Sequence, residues 1–208
     1  LEKASKSKYI NKLVVSTDSQ KYADIAINYG GEIPCIRPKI FASSDSPEIE
    51  YVKHMLEFLK DKENYVPDIV VRMMATIPFQ TTNDIDAVIE ILLNDKNAQS
   101  AVVVAEARQH PEKALKIISD NKGGKKLVTY FSESAKEVTP IARQNYEKAY
   151  YRSNIIACKT SVIYKTNSLT GELVRFHIIP QERAIDIDNE IDFVICERLS
   201  SYFNQLNV

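Results

Sequence analysis

Short apolar runs alternate with longer amphipathic stretches along this chain of 208 residues. The runs have four to six residues and the stretches between them ten to fifteen, which is typical of parallel strands connected by helices. The pattern predicts an α/β sandwich with a mostly parallel sheet. The length suits a single domain over residues 1–208 with a sizeable core, and it is too short for two domains of typical size.

Hydrophobic periodicity and capping residues set the expected elements. Strands are predicted at residues 12–16, 32–37, 68–74 and 100–105, with one or two more within 154–164, and helices at 19–29, 47–62, 83–94 and 190–206. Ser46 is expected to cap the helix that starts at residue 47, and Asn83 or Asp84 is expected to cap the helix that follows.

The region of about 113–150 has a different character. It combines a glycine-containing turn, short β-like pieces and a polar segment rich in tyrosine and arginine. We interpret it as an excursion from the sandwich that lies over the active site or forms a subunit contact.

The charge balance excludes one large class of partners. With 27 basic and 28 acidic residues, the chain lacks the positive surface expected of a nucleic-acid-binding protein. No apolar run is long enough to cross a bilayer, and no signal-peptide pattern opens the sequence. Cys35, Cys158 and Cys196 are widely spaced among apolar neighbours, as is usual for free thiols in a reducing compartment. We therefore expect a cytoplasmic protein that binds neither membrane nor nucleic acid.

The segment AIDIDNEIDF, residues 184–193, places two carboxylates just before a helix. In a strand, Asp186 and Asp188 would point to the same side and the isoleucines between them to the other. Hard cations such as Mg2+ favour that arrangement, with the remaining ligands supplied by water and phosphate. The alternative is a helix cap formed by Asp188 or Asn189. Both hypotheses stand at this point.

Two further segments carry charged groups suited to phosphates or acids. Arg37 enters the loop 36–49, where its guanidinium could hold a triphosphate or a base edge, or could form an ordinary surface ion pair. Arg143 and Arg152 lie in a segment with three tyrosines and could clamp a carboxylate or pyrophosphate, or could belong to a solvated basic loop. A lone histidine such as His110 is more often structural than catalytic.

Six motifs occur in one order along the chain: VSTDS, RP, a TxP turn followed by DID, HP, RQ with YR, and IDID. Their order resembles that of the acylneuraminate cytidylyltransferases, which make CMP-activated sialic acids and related nonulosonic acids. The resemblance implies a three-layer Rossmann-like fold of the nucleotide-diphospho-sugar transferase kind. It also implies transfer of CMP from CTP to an acidic sugar, with release of pyrophosphate.

The resemblance assigns roles to individual residues. Asp186 and Asp188 would hold Mg2+, and Arg143 and Arg152 would bind the sugar acid or stabilise charge at phosphorus. The residues that would contact the nucleotide are Arg37, Asp45, Ser46 and Thr76.

Several positions depart from the family pattern. Met74, Ile77 and Gln80 replace a glutamine, a serine and an arginine, and Ile155 replaces a glycine, which suggests an altered or blocked pocket. Met74, Ile155 and the absence of the family's phosphate loop from the 208 residues support one alternative function, a catalytically inactive relative that acts as a binding or interaction domain. A transferase for a 3-deoxy sugar acid is a second alternative.

The family also has a strand and a phosphate loop with glycine and lysine before the helix that residues 1–7 would end. Those elements are not among the 208 residues. Their absence would leave strand edges uncovered, so we expect a domain swap or an intimate homodimer. Whether the chain is active by itself stays open.

Overall fold

The computed structural model describes residues 1–120, 122–131 and 145–205, except for the side chains of residues 204 and 205. The helices in this part of the chain are α1 Glu2–Ser5, α2 Gln20–Asn28, α3 Glu48–Glu63, α4 Thr82–Asn94, α5 Thr160–Thr166 and α6 Glu190–Gln205. The strands are β1 Ile69–Met73, β2 Ser100–Glu106, β3 Leu115–Ser119, β4 Lys125–Thr129, β5 Tyr150–Lys159 and β6 Val174–Ile179. Short 3-10 turns occupy Lys39–Phe41, Pro111–Lys113 and Gln181–Arg183.

A four-stranded sheet with the order β1-β5-β2-β6 forms the centre of the fold. β2 and β6 are parallel, whereas β5 runs antiparallel to both of its neighbours, β1 and β2. The sheet is therefore mixed, and the α/β class that the sequence predicts is confirmed. β5 follows the excursion, whose described part includes the strand pair β3–β4, and runs opposite to both of its neighbours.

Alternation along β2 shows how the layers form. Ala101, Val103 and Ala105 belong to the hydrophobic cluster that α4 covers, whereas Val102 and Val104 belong to the cluster that α3 and α5 cover. Successive side chains of a strand point to opposite faces, so one strand serves both cores. Burial of both faces explains the continuous apolar run of this strand. The molecule is thus a three-layer sandwich, as predicted.

The four predicted helices lie close to their predicted ranges, but the N-caps of α3 and α4 differ from the prediction. α3 buries Val52, Met55, Leu56 and Leu59, which lie on one helical face. Its N-cap residue is Pro47 and makes no side-chain cap. The Ser46 hydroxyl lies instead 2.8 Å from the Ser43 hydroxyl. The prediction of a Ser46 cap was therefore wrong.

The N-terminus of α4 carries a capping box. Thr81, and not Asn83 or Asp84, is the N-cap residue, and its side chain accepts from the Asp84 backbone N–H. The Asp84 carboxylate accepts in return from the Thr81 backbone N–H at 2.8 Å. Both groups satisfy backbone donors that the helix itself leaves free.

The segments 12–16 and 32–37 do not form the predicted strands. They share one parallel bridge, Val14 with Glu32, and the described residues show no ladder from either segment to the four-stranded sheet. A strand requires a partner along its length, and these two segments offer each other only a short contact. The Lys12 ammonium group joins the two segments through the Glu32 carboxylate at 2.5 Å, and it also pairs with Glu63 at the end of α3 at 2.9 Å.

The segment 154–164 contains the end of one strand and a helix. β5 ends at Lys159, and α5 begins at Thr160, whose hydroxyl donates to the Pro67 carbonyl at 2.6 Å. The prediction that strand structure extends to 164 was wrong, because Val162 and Ile163 pack into the α3-side core from a helix.

Part of the excursion is described. β3 and β4 form a separate two-stranded antiparallel sheet, with Gly123 in the left-handed region at φ 77° in the turn between them. Residues 132–144 lie outside the described part of the chain. Within the described part, no helix is both long enough and apolar enough to span a membrane.

Candidate functional site

The connection between β6 and α6 carries the two aspartates and passes the end of β1. The Ile187 backbone N–H donates to the Thr76 carbonyl, in the turn after β1, at 2.9 Å. The residues from 184 to 188 form no strand, so that prediction was wrong. The connection nevertheless brings Asp186 and Asp188 to the turn that contains Thr76.

Asp186 has one bonded and one unbonded oxygen. Its Oδ2 atom accepts a hydrogen bond from Asn154 Nδ2 at 2.6 Å. Its Oδ1 atom is enclosed by protein atoms and has no hydrogen-bond donor among the described residues. An enclosed carboxylate oxygen without a donor is energetically costly, so a cation or a water is the natural complement to it.

A buried arginine holds the strand that carries Asn154. Arg72 lies on β1 with 8% of its surface exposed, and its Nη1 atom donates to the Asn154 carbonyl at 3.2 Å. Its Nη2 atom donates to the Glu48 carboxylate in the first turn of α3 at 2.5 Å. Arg72 was not predicted from the sequence, although an arginine within the apolar run DIVVRMM is a usable signal.

Asp188 is exposed, and no described residue bonds to its carboxylate. Asn189 caps α6 instead, since its Oδ1 atom accepts from the backbone N–H groups of Ile191 and Asp192 at 3.0 and 3.2 Å. The Asp192 carboxylate accepts in return from the N–H groups of Asp188 and Asn189, both at 3.1 Å. The cap hypothesis thus applies to Asn189, and the Asp188 carboxylate is available for another role.

Arg37 lies in the N-terminal segment and contacts the Tyr51 ring on α3. Its backbone N–H donates to the Thr17 carbonyl at 2.8 Å, which joins the RP loop to the STDS turn. Its guanidinium lies 3.9 Å from the Asp18 carboxylate and 4.9 Å from the centre of the Tyr51 ring. The Arg37 Nε atom is enclosed and has no acceptor among the described residues. Arg37 therefore forms the ion pair that the alternative hypothesis expected and keeps one donor unused.

Tyr51 connects the two arginines. Burial raises the pKa of the Tyr51 hydroxyl, whereas the positive charges of Arg72 and Arg37 act to lower it and Glu48 acts to raise it. Both guanidiniums are thus close enough to Tyr51 to influence its charge. Arg37 lies against the Tyr51 ring, hydrogen bonds join Arg72, Asn154 and Asp186, and we call these five residues the cluster.

The other predicted site residues lie in different environments. Asp45 is exposed and Thr76 is half-buried, and the Ser46 hydroxyl also lies 3.3 Å from the Ile40 carbonyl. Arg152 is exposed on β5, where it pairs with Val104. Arg143 lies outside the described residues, so its relationship to Arg152 stays a prediction.

Asp84 anchors the aspartate-bearing connection from the α4 side. Its carboxylate is fully buried, accepts from Arg183 Nη1 at 2.7 Å and lies 3.2 Å from His177 Nε2. Arg183 also donates to the Thr81 hydroxyl at 3.2 Å. The sequence predicts Asp84 only as a cap candidate, because nothing local indicates its partners on β6 and in the connection after it.

The departures from the family pattern have structural roles. Gln80 is 4% exposed, and its amide donates to the Ser153 carbonyl and hydroxyl at 3.0 and 2.9 Å. Ile77 is buried, and Ile155 is fully buried in the α4-side core. Ile155 thus packs as a core residue, and the interpretation that it marks an altered or blocked pocket stays a prediction.

His110 has the structural role that its isolation suggested. Its Nδ1 atom accepts from the Glu112 backbone N–H at 3.2 Å, and its Nε2 atom bonds the Glu147 carbonyl at 2.8 Å. Its ring stacks on Tyr146, with 4.5 Å between the ring centres.

The three cysteines are free. Burial raises the pKa of the Cys158 thiol to about 11 and also raises the pKa values of Cys35 and Cys196. None is therefore poised as a thiolate. No group of three or more His, Cys, Asp or Glu side chains within the described ranges could hold a metal ion by itself.

Comparison with known proteins gives consistent results. The chain is 29% identical to post-translational flagellin modification protein B of Campylobacter coli, across 94% of this chain and 80% of that protein. It is 26% identical to CMP-N,N'-diacetyllegionaminic acid synthase of Legionella pneumophila, across 94% and 81%. With N-acylneuraminate cytidylyltransferase of Escherichia coli it shares 21% identity, across the whole of this chain and 46% of that protein.

A solved structure shares the fold. CMP:2-keto-3-deoxy-manno-octonic acid synthetase, complexed with CTP, superposes with a TM-score of 0.60 across 96% of this chain and 86% of that one, at 12% identity. A family model described as cytidylyltransferase matches residues 1–204. The chain therefore belongs to the cytidylyltransferase family.

Proposed function

We propose that this protein transfers CMP from CTP to a nonulosonic acid of the sialic-acid type and releases pyrophosphate. The observation that most supports the proposal is the pair Asp186 and Asp188. No described residue bonds the enclosed Oδ1 atom of Asp186 or the exposed carboxylate of Asp188, two residues later. Membership in the cytidylyltransferase family and the names of relatives that act on acylneuraminate and legionaminic acid support the choice of reaction and acceptor.

The donor set suits Mg2+. Magnesium binds commonly through one or two protein carboxylates, with water and substrate phosphates as its other ligands, so a third acidic side chain is not required. When bound, Mg2+ neutralises charge on the phosphates of CTP and makes the α-phosphorus a better electrophile. Asp186 and Asp188 are the residues that would hold it.

The remaining residues bind and orient the substrates in this proposal. Arg37 holds the nucleotide through the guanidinium, whose Nε atom has no acceptor in the described structure. Asp45, Ser46 and Thr76 are the other proposed nucleotide contacts. A hydroxyl of the sugar acid attacks the α-phosphorus; the new oxygen–phosphorus bond forms, the α–β phosphoanhydride bond breaks and the hydroxyl proton is lost.

Arg143 and Arg152 are the proposed partners of the acid. Either guanidinium can pair with the sugar carboxylate or stabilise the charge that develops at phosphorus. Arg152 is exposed on β5 and has no described partner, which leaves its guanidinium available. The homodimer and the cytoplasmic location stay predictions.

Pyrophosphate release with CTP, Mg2+ and one acid at a time tests the proposal. The acids are N-acetylneuraminate, N,N'-diacetyllegionaminate, pseudaminate and 3-deoxy-manno-octulosonate. We expect turnover with one of the first three and its loss in Asp186→Ala. Turnover with the last acid alone would move the protein to the 3-deoxy class. Folded protein that neither binds CTP in calorimetry nor releases pyrophosphate would contradict the proposal and favour an interaction domain.

A further inference from the structure

A continuous series of hydrogen bonds leads from the start of α3 to Asp186. Glu48 accepts from Arg72, Arg72 donates to the Asn154 carbonyl, and the Asn154 amide donates to Asp186 Oδ2. Asn154 is half-buried on β5 and contributes both its backbone and its side chain to this series. No metal, nucleotide or acid contact has been assigned to it above.

We propose that Asn154 is a positioning residue that fixes the Asp186 carboxylate so that Oδ1 alone is left for a cation. This inference rests on the proposed function, in which Asp186 holds Mg2+. The Asn154 amide occupies Oδ2 at 2.6 Å, a short bond from a neutral donor to a charged acceptor. The other oxygen lacks a donor among the described residues.

The effect of the bond is to restrict rotation of the carboxylate. A free aspartate samples several orientations, and ordering it when a cation binds costs entropy. The hydrogen bond from Asn154 orders the Asp186 carboxylate already in the folded protein, before a cation binds. Asn154 can do this because Arg72 on β1 holds the strand that carries it. Groups that orient metal ligands in this way typically change metal affinity by about 10–100-fold when they are removed.

The hydrogen bond from Asn154 to Asp186 is not needed to hold the end of β5 in place. Residues 156–158 of β5 are paired with β1 on one side and with β2 on the other. Ser153, next to Asn154, is held separately by the Gln80 amide through both its carbonyl and its hydroxyl. The strand end therefore has its own attachments, and the amide of Asn154 is directed to Asp186 alone among the described partners.

Binding of Mn2+, in the presence of CTP and followed by electron paramagnetic resonance, tests the inference without relying on turnover. The series comprises the unaltered protein, Asp186→Ala, Asn154→Ala and Ser153→Ala. Ser153→Ala is the matched control, since it removes a neighbouring buried hydrogen bond on β5 that does not involve Asp186. Thermal unfolding of each variant reports structural damage independently.

We expect Asn154→Ala to weaken Mn2+ binding by about 10–100-fold, while Ser153→Ala binds Mn2+ as the unaltered protein does. In turnover assays, Asn154→Ala should need more Mg2+ for half-maximal rate but approach the normal kcat at saturating Mg2+. Loss of structure alone would lower the active fraction at every Mg2+ concentration. If Asn154→Ala does not fold, Asn154→Leu removes the amide at a similar volume and serves in its place.

The outcomes separate the two proposals. Unchanged Mn2+ affinity in Asn154→Ala, with affinity lost in Asp186→Ala, overturns the positioning role and leaves the proposed function intact. Equal losses in Asn154→Ala and Ser153→Ala also overturn it, because the effect would then come from the strand end in general. Normal Mn2+ binding by Asp186→Ala overturns both the metal site and the inference that rests on it.

Discussion

The guanidinium of Arg183 lies 2.7 Å from the fully buried carboxylate of Asp84. This ion pair joins the first turn of α4 to the connection that carries Asp186, three residues further along the chain. Asp84 also completes the capping box with Thr81. One carboxylate therefore stabilises a helix terminus and fixes the approach to the candidate site.

Replacement of Arg183 by methionine should destabilise the fold substantially. The substitution leaves the buried Asp84 charge without its strongest partner, and loss of one member of a buried pair costs about 3–5 kcal/mol. Since the Arg183 side chain is 21% exposed, we expect the lower end, near 3 kcal/mol, in urea unfolding.

Arg175→Met is the matched control for that experiment. Arg175 pairs with Asp95 at the same distance, 2.7 Å, but its side chain is 46% exposed. Exposed pairs contribute less than about 1 kcal/mol. Equal losses in the two variants would show that burial of Asp84 does not matter.

Substitution of Asp188 should impair function, whereas substitution of the neighbouring Asn189 should lower stability. Asn189→Ala removes the α6 cap, and loss of such a cap costs about 1 kcal/mol in the free energy of unfolding. Asp188→Ala removes a carboxylate with no described partner, so stability should be unchanged while Mg2+-dependent CTP binding is lost. Calorimetry and urea unfolding on both variants check this. A destabilised Asp188→Ala with normal binding would restore the hypothesis that Asp188 is a cap.

Arg37→Met should weaken CTP binding. The guanidinium keeps an Nε–H without an acceptor, and hydrogen bonds involving charged groups contribute about 1.5–3 kcal/mol, or roughly 10–100-fold in affinity. Calorimetric titration measures the change, with Arg175→Met as a control of the same chemistry outside the cluster. An unchanged dissociation constant in Arg37→Met would show that Arg37 acts only in its contacts with Asp18 and Tyr51.

The raised pKa of the Cys158 thiol predicts that the folded protein loses stability at high pH. Burial raises its pKa from the ordinary 9.0 to about 11. Between these values the unfolded chain has lost a proton that the folded protein keeps, so the unfolded state binds fewer protons and the free energy of unfolding falls as pH rises. Urea unfolding at pH 8 and pH 10.5 should show a steeper decline in the unaltered protein than in Cys158→Ala. Parallel declines would assign the pH effect to other groups.

The helices were predictable because each carries its own information. The spacing of Val52, Met55, Leu56 and Leu59 defines a face that is buried as expected, and Ser19 accepts from the Tyr22 N–H as a cap should. Strand direction carries no such signal. Whether β5 runs parallel or antiparallel to β2 depends on the path of the preceding excursion, and an apolar run is the same in either direction.

The candidate site was predictable only in part, for a related reason. Asp186, Asp188 and Arg37 stand at the ends of recognisable elements, where ligands of α/β proteins commonly bind. Asn154 bonds Asp186, which is 32 residues away in sequence. Arg72 bonds Asn154 and Glu48, which are 82 and 24 residues away. A single sequence does not reveal such distant pairs, although a charged residue in an apolar strand shows that a partner must exist.

The irregular pairing of β5 with β2 has a consequence for how this chain tolerates change. Val102 and Val104 are two residues apart, whereas their partners Ile156 and Arg152 are four apart, so β5 holds two additional residues beside Asn154. Insertions and deletions are usually harmless where a chain is loosely held, but here Ile155 is locked in the core and Asn154 is bonded to Asp186. Removing a single residue from this stretch would turn side chains over and exchange an amide with an isoleucine. The geometry of the candidate site thus depends on the register of β5 with β2. Sequence change at this position is therefore limited to substitution.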